Sequence, residues 1–321
     1  MNSRPTCASL IPVTSQLQPM NPEAKPALIA QGKVSRLLDA PSLASPARSD
    51  ESLRWTVPPM PTGRLIVNAD DWGRDRNTTD RISECSLRGS VSSVSAMVFM
   101  EDSERAAALA LERGIDAGLH VNFTTPFSAP HCPASLVRHQ QPLTRYLLRH
   151  RLAQVIFHPG LVRSFEYVVA AQIEEFCRLY GTMPERLDGH HHMHLCANVL
   201  WGKLLPAGTL VRRSFSFQPG EKGRVNRLYR KTLDRALNRR HRTVDFLFSL
   251  LPLESRSRLE RISSLACNSV VELETHPVNP EEYRFLTEGE FFRQLGDRQV
   301  APHFTTDPRN RTRGATRMKT T

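Results

Sequence analysis

The stretch RLIVNADDWG, residues 64–73, begins as a short apolar run and ends in two aspartates, a tryptophan and a glycine. A short run rich in β-branched residues that becomes polar at its end is typical of a buried strand followed by a loop. We therefore predict a strand over Arg64–Ala69, with Asp70 and Asp71 just beyond its carboxyl end.

Strands and helices alternate from this point onward. Further strands are predicted at Val91–Phe99, Ile115–Phe123, Arg186–Gly189 and Val270–Thr275. Helices are predicted at Arg76–Arg88, Ser103–Arg113, Phe165–Tyr180 and Thr287–Leu295, the last beginning with a Thr287/Glu290 capping box. Such alternation indicates a parallel sheet with right-handed crossovers. The predicted fold class is α/β, a single (β/α) barrel-like domain with parallel strands over residues 62–300.

The two ends of the chain differ from this domain in composition. Residues 1–61 contain 10 of the 23 prolines and little apolar periodicity, which predicts a disordered extension. Residues 301–321 are rich in arginine and threonine and are predicted to be a disordered basic tail. Met60 directly precedes the first predicted segment, so one hypothesis is that translation starts there.

Composition narrows the class of protein. The 321-residue chain is 40% hydrophobic and 23% charged, as globular proteins are. No window approaches the roughly 18 consecutive apolar residues of a membrane span, and the first thirty residues do not resemble a secretory signal. The six cysteines are scattered without a C-x-x-C pair, which is typical of reduced thiols. We expect a cytoplasmic protein.

The net charge of +11 is concentrated in one internal segment and the two ends. Residues 212–242 carry +9, residues 1–61 carry +2 and residues 301–321 carry +4, so the rest of the chain is slightly acidic. A pervasive basic surface would indicate nucleic-acid binding. Because the charge is local and no helix-turn-helix, zinc-finger or RNP signature is present, we expect no nucleic-acid partner. A basic nucleic-acid-binding protein with a vestigial site stays open as an alternative.

Four polar clusters come directly after predicted strands. They occupy residues 68–73, 118–122, 188–194 and 274–277. In parallel α/β folds the loops at the carboxyl ends of the strands meet at one edge, where active sites assemble. The four clusters therefore predict one site.

The residue types in these clusters indicate metal or acid–base chemistry. Asp70 and Asp71 serve either as a turn or N-cap, or as a pair whose mutual repulsion needs a cation or two separated pKa values. Four histidines fall within residues 190–194, and in an extended chain His190, His192 and His194 would share one face. That pattern predicts metal ligation or a catalytic imidazole network.

Taken together, the motifs NADDWG, GLHVN, DGHHHMH and THP resemble those of the YdjC-like carbohydrate deacetylases, the ChbG/HpnK group. The resemblance covers about residues 64–300. It implies a barrel-like α/β fold that removes N-acetyl groups from amino sugars with a divalent metal. Mg²⁺ is the metal the resemblance implies, although Asp and His ligands suit Zn²⁺ or Mn²⁺ as naturally.

The resemblance also implies roles for individual residues. Asp71, His120 and His190 would be metal ligands. Asp70 would be the general base and His276 a general acid or transition-state stabiliser, with the two aspartate roles open to exchange. Four further residues would contact the substrate or support the metal ligands: Trp72, Asn122, His192 and His194. Trp72 also fits the role of a core aromatic side chain.

The basic segment permits two interpretations. Residues 225–241 predict a solvated helix, whereas Arg239, Arg240 and Arg242 could instead contact an anionic substrate or a membrane surface near the substrate entrance.

The expected partner is an N-acetylated sugar or a glycolipid-type substrate, and a homodimer is open. The predicted function is that of a metal-dependent amino-sugar deacetylase, with a metal-dependent amidase or esterase as the alternative.

Overall fold

The computed structural model describes residues 63–217, 223–253, 256–296 and 299–304. Its strands are β1 (Arg64–Trp72), β2 (Ser93–Ala96), β3 (Asp116–Val121), β4 (Arg186–Gly189), β5 (Leu210–Val211), β6 (Phe246–Ser249) and β7 (Val270–Thr275). The predictions for residues 1–61, for Met60 and for residues 305–321 lie outside the described residues.

The seven strands form one parallel sheet in the order β5-β4-β3-β2-β1-β7-β6, with β1 near its centre. The sheet curls until its edges approach, because the Ser216 amide after β5 donates to the Leu247 carbonyl of β6 at 2.8 Å. The result is a curled half-barrel with flanking helices. The predicted α/β barrel-like fold is confirmed, and β5 and β6 are strands that the sequence pattern did not predict.

Helices connect the strands and cover the outside of the sheet. They are α1 (Arg76–Leu87), α2 (Ser103–Arg113), α3 (Ala134–Arg149), α4 (Val162–Tyr180), α5 (Ala197–Trp201), α6 (Arg224–Asn238), α7 (Arg256–Leu265), α8 (Pro280–Thr287) and α9 (Glu290–Leu295). Within the described ranges, none of them has the length and apolarity needed to span a bilayer.

The predicted helix Thr287–Leu295 is wrong at its start. Thr287 is the last residue of α8, where its hydroxyl donates to the Tyr283 carbonyl at 2.7 Å. Gly289 then has a φ of +81°, which breaks the chain direction before α9 begins at Glu290. The expected capping box is therefore absent, because its threonine ends one helix instead of beginning the next.

The side chains of β1 point alternately into two separate apolar regions. Leu65, Val67 and Ala69 face the large core under the helices. The intervening Ile66 points into the barrel, where it packs in a small apolar cluster with Leu210, Val244, Ala301 and Phe304. Apolar side chains thus fill the end of the barrel where the strands begin, and polar side chains occupy the end where they finish.

Residues 300–304 close that apolar end. The Ala301 amide donates to the Leu65 carbonyl at 2.7 Å, and the Phe304 amide donates to Asp116 Oδ2 at 2.7 Å. The Phe304 ring lies 4.5 Å from the guanidinium carbon of Arg186. The folded domain therefore extends to at least Phe304, past the predicted boundary at residue 300.

Candidate metal and acid–base site

Two successive aspartates reach the same site because β1 ends in a bulge. Neighbouring residues of a regular strand point to opposite faces. Asp71 has a φ of +69°, and the register between β1 and β2 shifts between Ala69 and Trp72. Aspartate tolerates this left-handed conformation better than most residues, and a bulge redirects the side chains around it. Asp70 and Asp71 are consequently both buried at the carboxyl end of β1.

The histidine segment turns immediately after β4. His191 and His192 have φ values of +54° and +55°, so the backbone coils where an extended chain was predicted. Gly189 allows the turn, since a Cβ at this position would lie 3.0 Å from the Cβ of His194. The prediction that His190, His192 and His194 share one face of an extended chain is therefore wrong.

Each of these three histidines instead meets a different partner. His190 Nδ1 lies 2.9 Å from Asp71 Oδ1, and His192 Nε2 lies 3.2 Å from Glu274 Oε2. His194 is fully buried and its Nε2 donates to the Arg212 carbonyl at 3.0 Å. Burial, together with the nearby His192, lowers the pKa of His194 to about 3, so its ring is a neutral donor.

His120, on β3, is held by a carboxylate on β4. Its Nδ1 lies 2.7 Å from Asp188 Oδ1, and its Nε2 lies 3.5 Å from Asp71 Oδ1. Burial opposes protonation of this imidazole, but the charges of Asp70 and Asp188 outweigh burial and raise its pKa to about 10. A carboxylate behind a ring nitrogen fixes the ring and its tautomer, as it does behind many ligand histidines. The other nitrogen is thereby directed to Asp71.

Asp71, His120 and His190 could hold a metal ion. One potential ligand atom from each lies within 4.8 Å of the other two. Asp71 Oδ1 is buried and has no hydrogen-bond partner among the described residues, although both ring nitrogens lie close to it. Burial opposes the charge on Asp71, but the two imidazoles hold its pKa well below the usual range. An unpaired carboxylate oxygen beside two imidazole nitrogens fits a divalent cation with open coordination positions.

Arg212, just beyond β5, is the central residue that was not predicted from the sequence. Its buried guanidinium lies 2.6 and 2.7 Å from the two oxygens of Asp70 and 3.0 Å from Asp188 Oδ2. It also donates to Glu272 Oε1 at 2.7 Å and to Glu274 Oε2 at 3.1 Å. Burial disfavours its charge, but these carboxylates hold its pKa well above the usual range. One cation thus contacts and orients carboxylates from three strands.

Arg212 falls within the basic segment of the sequence and was counted with it. A strand of two residues, Leu210–Val211, carries too little pattern to be recognised, so nothing marked Arg212 as a residue at a strand end. A usable signal lay in Val270–Thr275, where Glu272 and Glu274 alternate with apolar residues and so share the inner face. Two buried carboxylates on one face require a cation nearby.

This arrangement distinguishes the two aspartates. Asp71 faces imidazoles, whereas Asp70 is paired with Arg212. The other acid–histidine groups that overlap the site contain Asp70, Asp188 or Glu274, all of which Arg212 contacts. His276 Nε2 lies 3.8 Å from Asp70 Oδ2, and this side chain is 36% exposed, so it borders the solvent.

Trp72 and Asn122 lie beneath the site and are not part of its opening. Trp72 is fully buried and its indole donates to the Ala106 carbonyl at 3.2 Å, which favours the core interpretation. Asn122 Oδ1 accepts from the amides of Thr124 and Thr125 at 3.1 and 2.9 Å, and its Nδ2 donates to the Thr125 carbonyl at 2.7 Å. Its polar atoms are therefore used in shaping the loop after β3.

The structure places Arg239, Arg240 and Arg242 at the opposite end of the barrel. The Arg242 amide donates to the Thr209 carbonyl at 3.1 Å, and the Gly208 amide donates to the Arg240 carbonyl at 2.7 Å. These contacts lie where β5 and β6 begin, whereas the aspartates and histidines lie where strands end. The expectation that these three arginines contact a substrate at the entrance is therefore wrong, because α6 carries the chain away from the site before they occur.

Residues 64–300 match the family described as YdjC-like protein. A chitooligosaccharide deacetylase of Proteus mirabilis (strain HI4320) is 34% identical over 132 residues, which are 41% of this chain and 50% of that protein. A carbohydrate deacetylase of Homo sapiens is 33% identical over 141 residues, 43% of each chain. The chain thus matches about half the length of these curated relatives.

Among solved structures, a protein of Enterococcus faecalis V583 named for cellobiose-phosphate cleavage superposes with a TM-score of 0.52. It is 20% identical, and the match covers 74% of this chain and 97% of that one. At this identity the likeness shows the fold alone. The family match says more than this superposition does. The matched residues 64–300 contain every strand of the described sheet and all the polar clusters. The chain belongs to the family of YdjC-like proteins.

Proposed function

We propose that this protein is a metal-dependent hydrolase that removes the acetyl group from an N-acetylated sugar. The observation that carries the proposal is the unpaired Asp71 oxygen flanked by His120 and His190, next to an Asp70 whose two oxygens Arg212 contacts. A divalent metal in that site would polarise the acetyl carbonyl and lower the pKa of a water molecule. The resemblance implies Mg²⁺, while two imidazole ligands suit Zn²⁺ or Mn²⁺.

Asp70 is the residue we assign as general base. Arg212 contacts both of its oxygens, and Asn68 Nδ2 donates to Oδ1 at 2.9 Å, so accepting capacity remains on Oδ2. Oδ2 lies 3.8 Å from His276 Nε2 and 3.9 Å from His120 Nε2. In this role Oδ2 takes the proton of the attacking water, and Arg212 keeps the carboxylate oriented.

His276 is the residue we assign as general acid. It is the histidine near Asp70 that borders solvent, and its Nε2 would deliver a proton to the departing amine. The loop that carries it is anchored by Glu282, whose Oε2 accepts from the His276 amide at 2.8 Å and from the Thr275 hydroxyl at 2.5 Å. A fixed backbone with a partly exposed ring suits a group that must reach a substrate atom.

Phe215 is the aromatic side chain that we propose for sugar contact, in place of the buried Trp72. Its ring centroid lies 4.5 Å from that of His192, and it is partly exposed after β5. His192 is in turn held by Glu274. An aromatic face beside a polar histidine suits the apolar face and hydroxyl groups of a sugar ring.

The names of the relatives support an acetylated carbohydrate as substrate. Those proteins are a chitooligosaccharide deacetylase and a carbohydrate deacetylase. A metal-dependent amidase or esterase would use the same ligands with a different pocket, and acetate release distinguishes the two. Cytoplasmic location and a homodimer stay predictions.

Metal analysis combined with an acetate-release assay tests the proposal. Substrates are chitooligosaccharides, N-acetylglucosamine derivatives and lipid-linked amino sugars. His120→Ala and His190→Ala should each lose bound metal and acetate release. His131→Ala, in the separate acid–histidine group that His131 forms with Glu104 of α2 and Glu175 of α4, is the matched control and should keep both. Full metal content and full activity in either site variant would overturn the assignment, and turnover restricted to non-sugar amides or esters would favour the alternative.

A further inference from the structure

Helix α6 lies on the surface with almost no burial of its own. Of its 15 residues only Leu237 is buried. At about 100° per residue, one stripe of the helix collects small and apolar side chains; we call it the α6 stripe, formed by Val225, Leu228, Tyr229, Thr232 and Ala236. Val225 is 83% exposed and Leu228 is 64% exposed. Apolar residues at helical spacing normally face a core, but in the described part of the chain Val225 and Leu228 face solvent, and the rest of the stripe borders α5.

Basic side chains flank the stripe. The helix contains five Lys and Arg residues and a single acid, Asp234. Asp234 pairs with Arg213 at 2.6 Å and accepts from the Ser214 amide and hydroxyl, all outside the helix. The acidic charge of the helix is therefore already neutralised elsewhere. On the helical projection Lys231 and Arg235 lie directly beside the stripe, and both are exposed.

An exposed tryptophan extends the apolar surface on the other side of the stripe. Trp201, at the end of α5, is 67% exposed. Between α5 and α6 lies a cavity of about 190 Å³ whose walls include Trp201, Tyr229 and Leu233. The stripe, this cavity and Trp201 are continuous. They form one apolar surface with cations along its edge.

We propose that the α6 stripe and Trp201 dock the protein on an anionic phospholipid surface. A strongly amphipathic helix that is polar overall, with Arg and Lys beside the apolar face, is the form that lies in a bilayer interface. Tryptophan prefers the same depth, where its ring is apolar and its N–H is hydrated. Lys231 and Arg235, which form no ion pair within the described residues, supply charge complementarity to acidic headgroups. A purely apolar protein partner would not account for them.

The docking surface begins near the candidate site and runs along the barrel to the cavity beside Arg240. α6 begins shortly after the segment that carries Phe215 and Phe217. Phe217 lies under the guanidinium carbon of Arg230 at 4.7 Å, and Phe215 contacts His192. A protein docked through the first turns of α6 would thus hold its entrance near the headgroups. The docking itself does not depend on the proposed function.

Vesicle sedimentation with the full chain tests the proposal. The probes are vesicles of phosphatidylcholine alone and of phosphatidylcholine mixed with phosphatidylglycerol. We expect binding to the mixed vesicles only, weakened by added salt. Lys231→Gln combined with Arg235→Gln should lower the binding constant about 25-fold, at about fivefold for each cation. Leu228→Asp should lower it at least as much.

Leu111→Asp is the matched control for the apolar change. Leu111 is 60% exposed on α2, away from α6, and its variant should bind vesicles as the unaltered protein does. Circular dichroism of both variants confirms that each remains folded. Binding to neither vesicle type, equal binding to both, or Leu228→Asp binding as well as Leu111→Asp would each overturn the proposal. A dimer that Leu228→Asp dissociates, without vesicle binding, would assign the surface to a second copy instead.

Discussion

Replacing Arg212 by methionine is the most demanding test of how the site is held together. Methionine keeps much of the length and the apolar volume but removes the charge. The guanidinium makes contacts of 2.6 to 3.1 Å with Asp70, Asp188, Glu272 and Glu274. All four carboxylates are buried, so none of them can replace the lost contact with bulk water.

The expected loss of stability can be worked out from this geometry. Removing one partner from a single buried ion pair costs about 3–5 kcal/mol, because a charge is left buried and unpaired. Arg212 contacts four carboxylates, so Arg212→Met should lower the free energy of unfolding by about 5 kcal/mol or more. The total free energy of unfolding of a domain is about 5–15 kcal/mol. The variant should therefore be largely unfolded or close to it, whereas Arg212→Lys, which keeps the charge but loses the paired contact with Asp70, should lose about 2–3 kcal/mol.

Urea denaturation followed by circular dichroism measures the loss, and the adjacent residue supplies the control. Arg213 pairs with Asp234 at 2.6 Å, but its side chain is 23% exposed. Arg213→Met should therefore cost about 1 kcal/mol or less. If Arg212→Met lost less stability than Arg213→Met, the carboxylates would not depend on Arg212. The assignment of Asp70 as an oriented base would then lose its support.

Three further changes probe the surroundings of the site. Asp188→Asn removes the carboxylate that fixes the ring of His120, so metal affinity measured by titration calorimetry should fall about 10- to 100-fold. Burial raises the pKa of Glu272 to about 7, above its unfolded value of 4.5. The free energy of unfolding of the unaltered protein should therefore fall as the pH rises between these two values, because the buried group must ionise. Between pH 5 and pH 8 the free energy of unfolding of Glu272→Gln, measured by urea denaturation, should gain up to about 3 kcal/mol relative to the unaltered protein. A Cβ on Gly118 would lie 2.7 Å from Arg186 Cζ, so Gly118→Ala should lower the free energy of unfolding by about 1–3 kcal/mol in the same assay.

The sequence predicted the parts of the site that lie next to recognisable strands. Arg64–Ala69 and Val270–Thr275 are apolar enough to be identified, and the polar residues after them necessarily meet at one edge of a parallel sheet. Asp71, His120 and His190 are accordingly brought together. The conformations within the motifs were not predictable from spacing, because the left-handed φ values of Asp71 and His192 arise from a bulge and a turn.

The charged interior could not be deduced in the same way. Arg212 is separated from its partners by long stretches of sequence, and a count of local charge placed it with the exposed arginines of α6. Only the closing of the sheet brings β5 opposite β7, and that closure depends on contacts such as Ser216 to Leu247. Long-range pairing of this kind leaves no periodic trace in the sequence.

The position of residues 300–304 determines where a fusion partner or a solid support can be joined to this protein. It runs beside the start of β1, so Gly63 and Phe304 both emerge at the pole opposite the aspartates and histidines. A fluorescent protein or a resin linker fused next to either residue would thus stand on the far side of the barrel from an incoming substrate. A circular permutant in which a peptide joins Phe304 to Gly63 would likewise carry that peptide at this pole, with its new termini opened in an exposed loop.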